Sequence, residues 1–287
     1  MTAMPTAARL SPERIARSSG SSFLVSFFFM APGRRRALLA IYAFCRVVDD
    51  AVDLLPREGH GEAEARLLFW ERELSDAFAG EPRTPLGFAL HRASLRFGLE
   101  EAPLRELCEG VRMDLDPRPF ERFEDLAGYM RKVASAVGVA CLPVFGADRT
   151  KAVPYADALG LALQYTNILR DLAEDTEAGR CYLPKEVLEE HGLRAAEIRP
   201  DSLKDPGKRE TIASLLEAEV ARARELYLRA DRLLPPEEFR ALRPARIMRR
   251  IYGDLLERIA RRGPAVLEPP RERVPFHRKL FLACFGL

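Results

Sequence analysis

Ile41-Tyr-Ala-Phe-Cys-Arg-Val-Val-Asp-Asp-Ala-Val-Asp53 and Gln164-Tyr-Thr-Asn-Ile-Leu-Arg-Asp-Leu-Ala-Glu-Asp175 decide the reading of this chain. Each stretch ends in an acidic cluster with carboxylates four residues apart. That spacing is close to one helical turn, so Asp49 shares a face with Asp53, and Asp171 with Asp175. Apolar residues at Leu38, Ile41, Ala43, Val48 and Val52 support a helix around the first cluster, with no strand-like alternation. Like charges at this spacing repel and weaken an isolated helix. A helix that carries them on an inner face needs a cation to offset them. Two such helices facing each other make a cage of hard oxygen ligands, the chemistry by which carboxylates and a substrate diphosphate hold Mg2+. Asp49, Asp53, Asp171 and Asp175 are therefore the expected metal ligands.

The polar residues around the clusters fit this picture. Tyr42, Arg46, Asp49, Asp50 and Asp53 step by three or four into one stripe, as do Gln164, Asn167, Arg170 or Asp171, and Asp175. A polar stripe is usually a solvated face. Gln164 and Asn167, however, interrupt the otherwise apolar residues 159–169, where a solvent-facing stripe is more often Lys or Glu, and the pattern occurs twice. A diphosphate cannot sit beside four carboxylates without divalent cations between them. The metal also neutralises the charge that develops as diphosphate departs. Arg46 and Arg170 can take remaining phosphate oxygens through forked hydrogen bonds. A departing diphosphate leaves a carbocation, which an apolar cavity protects from water. Phe23, Phe27, Phe44 and the small-residue helix 129–145 are candidates for its lining, although core packing accounts for each aromatic better.

The rest of the chain also reads as helix. Residues 34–55 form one, broken before by Pro32-Gly33 and stopped by Pro56. Further helices are expected at 62–78, 86–97, 104–111, 124–145, 155–177, 210–234 and 239–262. Residues 114–120 form a loop, 179–184 a turn and 191–208 a surface excursion. The tail from Gly263 is irregular until a short apolar end. No repeat, phosphate loop or βαβ pattern is present. The expectation is an all-α protein, one domain over residues 1–287 with 1–17 flexible, built as a helical bundle with a central cavity.

Composition narrows the function further. The net charge of +2 gives no argument for nucleic acid as a partner, and the basic residues are 39 Arg and 6 Lys, a bias that base composition explains. The five cysteines are scattered with no CxxC pair, so neither a disulfide framework nor a zinc site is expected and a reducing cytoplasm fits. No signal peptide is read at the N-terminus. The apolar runs 23–31 and 280–287 are too short to span a bilayer, but are compatible with peripheral contact with the inner face of a membrane.

The two acidic stretches, together with Tyr129-Met-Arg-Lys-Val-Ala-Ser-Ala-Val-Gly138, resemble the squalene and phytoene synthase family from about Ser18 to the C-terminus. The resemblance implies a class I isoprenoid synthase bundle that joins two prenyl diphosphates head to head. By position, Asp49, Asp53, Asp171 and Asp175 resemble the family's metal-binding pairs, with Gln164 and Asn167 as the polar residues beside them and Asn167 as a further metal contact. Tyr129 resembles the tyrosine near the departing diphosphate and the proton lost in cyclopropane formation. Ser22 and Phe23 match the "S-F" opening, where a hydroxyl meets phosphate. Met113-Asp114-Leu115 matches the "M-D-L" loop. Arg180-Cys-Tyr-Leu-Pro184 matches a turn whose Arg180 and Tyr182 face diphosphate. Tyr42, Arg46 and Arg170 complete the expected substrate contacts. Ser21 stands where relatives often carry a basic residue, and Ser135 is expected to narrow the channel wall slightly. The resemblance is greatest to bacterial presqualene diphosphate synthases of hopanoid biosynthesis. It implies farnesyl diphosphate as substrate, Mg2+ as cofactor, NADPH only if a second half-reaction follows, and other isoprenoid-pathway enzymes as partners. Complete squalene synthesis, phytoene synthesis from geranylgeranyl diphosphate, and a non-catalytic helical assembly protein are the alternatives.

Overall fold

The computed structural model describes residues 5–18, 23–53 and 59–285, with the side chains of Ser18, Asp53 and Phe285 outside the description. Among the described residues every regular element is helical. The main elements are α1 (Pro12–Ser18), α2 (Phe23–Phe27), α3 (Pro32–Asp53), α4 (His60–Ala79), α5 (Pro85–Phe97), α6 (Glu101–Met113), α7 (Phe123–Met130), α8 (Ala136–Phe145), α9 (Arg149–Glu177), α10 (Lys185–Glu190), α11 (Pro206–Leu233), α12 (Arg243–Arg262) and α13 (Phe276–Phe285).

Each long helix carries one apolar stripe and buries it. In α3, Leu38, Ile41, Phe44, Val48 and Val52 are all buried, as their helical spacing requires. Proline opens α3, α5 and α11, where its fixed φ and missing N–H suit the first turn. The expected helix 124–145 is nearly continuous, but Arg131–Ser135 between α7 and α8 is π-helical. Such a stretch widens one turn and is often found at functional sites.

Two cores result. One joins α1 and α3–α6 with Ala140, Cys141 and Val144 of α8. The other gathers α7, α9, α11 and α12. Phe23, Val133 and Phe145 pack against both, so the seam between the cores runs past α2 and the π-helical stretch. α3 lines this seam from the first core and α9 from the second. The two acidic clusters thus come to one interior, as the bundle with a central cavity requires.

Close approach of α9 to the π-helical stretch depends on a glycine. A Cβ on Gly160 would stand 2.5 Å from the Cα of Ser135. Ser135 is buried there and its Oγ donates to the carbonyl of Asp157 at 2.8 Å. It therefore faces a helix contact and does not narrow the channel wall. In the N-terminal stretch Thr6–Arg9 forms a 3-10 turn, α1 follows, and Ala8 and Ile15 join the first core because their apolar side chains find cover there. Another expectation changes. Phe44 does not line the cavity; two positions after Tyr42 it points to the opposite side of α3 and is fully buried in the first core.

Candidate active site

On α3 the stripe divides between interior and rim. Tyr42 lines an apolar cavity and its ring lies 5.9 Å from that of Phe23, which also packs against Tyr252 of α12. Asp49, two turns further on, reaches both that cavity and a polar chamber. Arg46 pairs with Asp50 at the rim, where the side chains are 38% and 44% exposed. Arg46 is among the lining residues of neither space. Ser22, Ser21 and the side chain of Asp53 lie outside the described residues.

On α9 the acidic cluster is drawn further inside. Asp171 and Arg170 have side chains only 17% exposed or less. Arg170 donates from Nε and Nη2 to both oxygens of Asp171, at 2.7 and 2.6 Å. Arg271, from the proline-rich tail, donates to Asp171 Oδ2 as well and reaches Glu174 at 3.4 Å. Among the described residues Asp175 has no such fork. Burial first, and then the charge of Asp171, push its carboxyl up to about 7, against the pull of Arg180 and Arg271.

Directly after Asp175 the helix ends in a reversal. Arg180 N–H donates to the carbonyl of Asp175, and Gly179 N–H to that of Thr176. Gly179 has φ +78°, the left-handed conformation that this helix cap needs. The reversal returns Arg180 and Tyr182 to the chamber that Asp175 lines. There Tyr182 donates its hydroxyl to Asp114 Oδ1 at 2.9 Å, and Tyr129 donates to Asp114 Oδ2 at 2.8 Å. One carboxylate thus holds two tyrosines, whose rings stack at 5.4 Å. Burial and the nearby Asp114 charge raise the Tyr129 hydroxyl well above the usual tyrosine range, so it keeps its proton and acts as a donor.

The polar chamber measures about 200 Å3 and is lined by Asp49, Asp114, Tyr129, Gln164, Asn167, Asp171, Asp175, Arg180 and Tyr182. The apolar cavity beneath it measures about 210 Å3, with Phe23, Phe27, Tyr42, Val137, Leu159 and Met248 among its walls. Asp49, Val133, Gln164 and Asn167 line both, so the two spaces meet at one neck. A wider groove of about 1030 Å3 lies along the outer side of Asp114, Tyr129, Arg180 and Tyr182.

The donor set suits a hard cation. Asn167 donates from Nδ2 to Gln164 at 3.3 Å, but its Oδ1 is buried with no partner among the described residues. An orphaned acceptor costs stability unless something fills it. It shares the chamber with Asp175, a carboxyl short of positive charge. Among the described residues no three acidic, His or Cys side chains are placed to hold an ion by themselves. Mg2+ is held by one or two carboxylates together with phosphate oxygens, and Asp175 and the Asn167 oxygen are donors of that hard kind.

A family model described as squalene/phytoene synthase matches residues 16–279. The chain belongs to the squalene/phytoene synthase family. Among curated members, it is 37% identical over 223 residues to phytoene synthase 3, chloroplastic, of Zea mays, covering 76% of this chain and 51% of that one. The chain spans about half the length of the chloroplast relatives of this kind. It is 36% identical over 270 residues to presqualene diphosphate synthase of Zymomonas mobilis, covering 93% of this chain and 88% of the other. Its fold matches the crystal structure of a dehydrosqualene synthase in complex with ligand, with a TM-score of 0.80 and 28% identity over 95% of this chain and 92% of that one.

The structure adds chamber residues that the sequence left without a role. Asp114 was visible only as part of "M-D-L"; its use as the shared acceptor of Tyr129 and Tyr182 is tertiary. Arg271 stands 100 positions from Asp171 with no local signal. Val133 reaches the neck from the π-helical stretch, which apolar periodicity does not reveal.

Proposed function

We propose that this protein catalyses the Mg2+-dependent head-to-head condensation of two farnesyl diphosphates to presqualene diphosphate. The observation that carries the reading is the neck: a chamber of carboxylates, Arg180 and two tyrosines opens directly into an apolar cavity. Such a pair of spaces suits an ionised head on a long apolar chain.

Asp49, Asp171 and Asp175, with the free oxygen of Asn167, would hold the metal. Bound there, Mg2+ supplies charge neutralisation to the departing diphosphate. Arg180, which lines the same chamber, would take phosphate oxygens, with Tyr182 held beside it on Asp114. The C1–O bond of one farnesyl diphosphate breaks, and the electron pair leaves with diphosphate. The C2–C3 double bond of the second attacks that C1, and loss of a proton closes the cyclopropane. Because Tyr129 keeps its proton and donates it in a hydrogen bond to Asp114, the released diphosphate is the base. The walls around Phe23, Tyr42 and Met248 exclude water from the cation.

The first test is to incubate purified protein with farnesyl diphosphate and Mg2+, with and without NADPH, and identify the lipids. Presqualene diphosphate in both reactions is the expected result. Squalene formed only with NADPH would replace the reading by a full squalene synthase. The maize relative's name favours one other reading, phytoene from geranylgeranyl diphosphate, so that substrate is the parallel arm. Failure with both substrates would leave a non-catalytic helical protein.

A further inference from the structure

α13 has its apolar side outward. Phe276, Leu280, Phe281 and Cys284 recur at helical spacing and are exposed, Phe276 by 68% and Phe281 by 51%. The inner side carries Ala283, fully buried, and Lys279, whose ammonium is held below the usual lysine range by burial. A surface helix normally shows the reverse arrangement. α13 packs on α2 and α12. Just past α2 stand Phe28, 66% exposed, and Phe29, with ring centroids 5.6 Å apart. No helix among the described residues is long and apolar enough to cross a membrane.

The charges around these residues are mostly positive, although Arg278 pairs with Asp254 and Arg249 with Asp231. Residues 273–285 contain Arg273, Arg278 and Lys279 and no Asp or Glu. Residues 240–253 contain five arginines and no acid. Arg243 lies 5.1 Å over the Phe29 ring, and its Nε–H has no acceptor among the described residues. Arg278 lies 5.4 Å over Phe281. Exposed aromatics set among an excess of cations are what an interfacial helix presents to anionic lipid. A second copy of the chain would bring the same basic segments together and be repelled.

We infer that the outer face of α13, with Phe28 and Phe29, docks on the surface of a bilayer containing anionic phospholipid. Docked this way, α2 stands between lipid and the apolar cavity, because Phe23, Ser26 and Phe27 of α2 line that cavity. The aromatics enter the headgroup boundary and the cations meet lipid phosphates. The surface stands on its own geometry and does not rest on the proposed reaction.

The test is co-sedimentation of the full chain with vesicles, without substrate. Binding is expected to vesicles of phosphatidylcholine mixed with phosphatidylglycerol, to be weak with phosphatidylcholine alone, and to fall with added salt. The double variant Phe28→Glu, Phe281→Glu should bind roughly tenfold more weakly while converting soluble substrate as before. Should that variant fail to fold, Arg273→Gln with Arg278→Gln should lose the preference for anionic vesicles. Failure of the wild type to bind anionic vesicles, or equal binding by the variants, would overturn the inference. So would a dimer in sedimentation equilibrium that the Glu variant dissolves while vesicles do not bind. None of these results bears on whether farnesyl diphosphate is consumed.

Discussion

α3 and α9 carry nearly the same acidic pattern, yet the fold gives them different electrostatic surroundings. On α3, the arginine four residues before Asp50 pairs with it at the half-exposed rim, and Asp49 turns inward. On α9, Asp171 is buried between two arginines, one adjacent in sequence and one from the tail, while Asp175 is buried with little compensation. Exposed ion pairs are screened and contribute little; buried charges are costly unless matched. The second cluster is therefore the one held ready by the protein, and the first is the one that solvent and ligand complete.

The comparison breaks most sharply at the metal-facing carboxylates. Asp171→Asn should lower kcat roughly a thousandfold, and Asp49→Asn by a similar order, because each removes charge that offsets the metal. Circular dichroism melts should stay near wild type for Asp49→Asn and fall for Asp171→Asn, which leaves Arg170 without its carboxylate. Turnover within a few fold of wild type in either variant would show that the two helices do not share one site.

A smaller loss is expected at Asp114. Asp114→Asn leaves a single carbonyl oxygen for two tyrosine hydroxyls, so turnover should fall by roughly tenfold to a hundredfold with little change in melting temperature. Rescue by Glu would mean that charge, not reach, is what the tyrosines need. Arg271→Gln sharpens the asymmetry from the other side. It removes a cation that competes for Asp171, so the Mg2+ concentration at half-maximal rate should drop several-fold, by about 1 kcal/mol. A rise would assign Arg271 to the substrate instead. Arg46→Gln should have the least effect on metal, within about threefold, because its carboxylate partner sits at the rim.

Most of the fold was legible because its signals are local. Apolar periodicity around Leu38 to Val52, prolines at helix starts and glycines at helix ends each act within a few residues. That α3 and α9 send Asp49, Asp171 and Asp175 to one chamber was legible in the repeated acidic spacing. What escaped was long-range or sub-helical. Arg271 meets Asp171 only through the tail's path back over α9. Asp114 acquires its role from tyrosines on two other segments. Phe44 and Tyr42 read alike in composition, and only their angle on α3 separates core from cavity. The π-helical turn at Arg131–Ser135 shifts which small residues face the channel, so Ser135 turned to α9 and Val133 to the neck.

The central claim is that both acidic helices bind Mg2+ together with a substrate diphosphate, since neither forms a complete cage alone. Calorimetric titration of the protein with Mg2+, with and without an unreactive farnesyl thiodiphosphate, tests it directly. The account predicts weak Mg2+ binding to the protein alone, much tighter binding with the analogue, and loss of that gain in both Asp49→Asn and Asp171→Asn. Mg2+ binding that the analogue leaves unchanged, or a gain that survives either substitution, would contradict it.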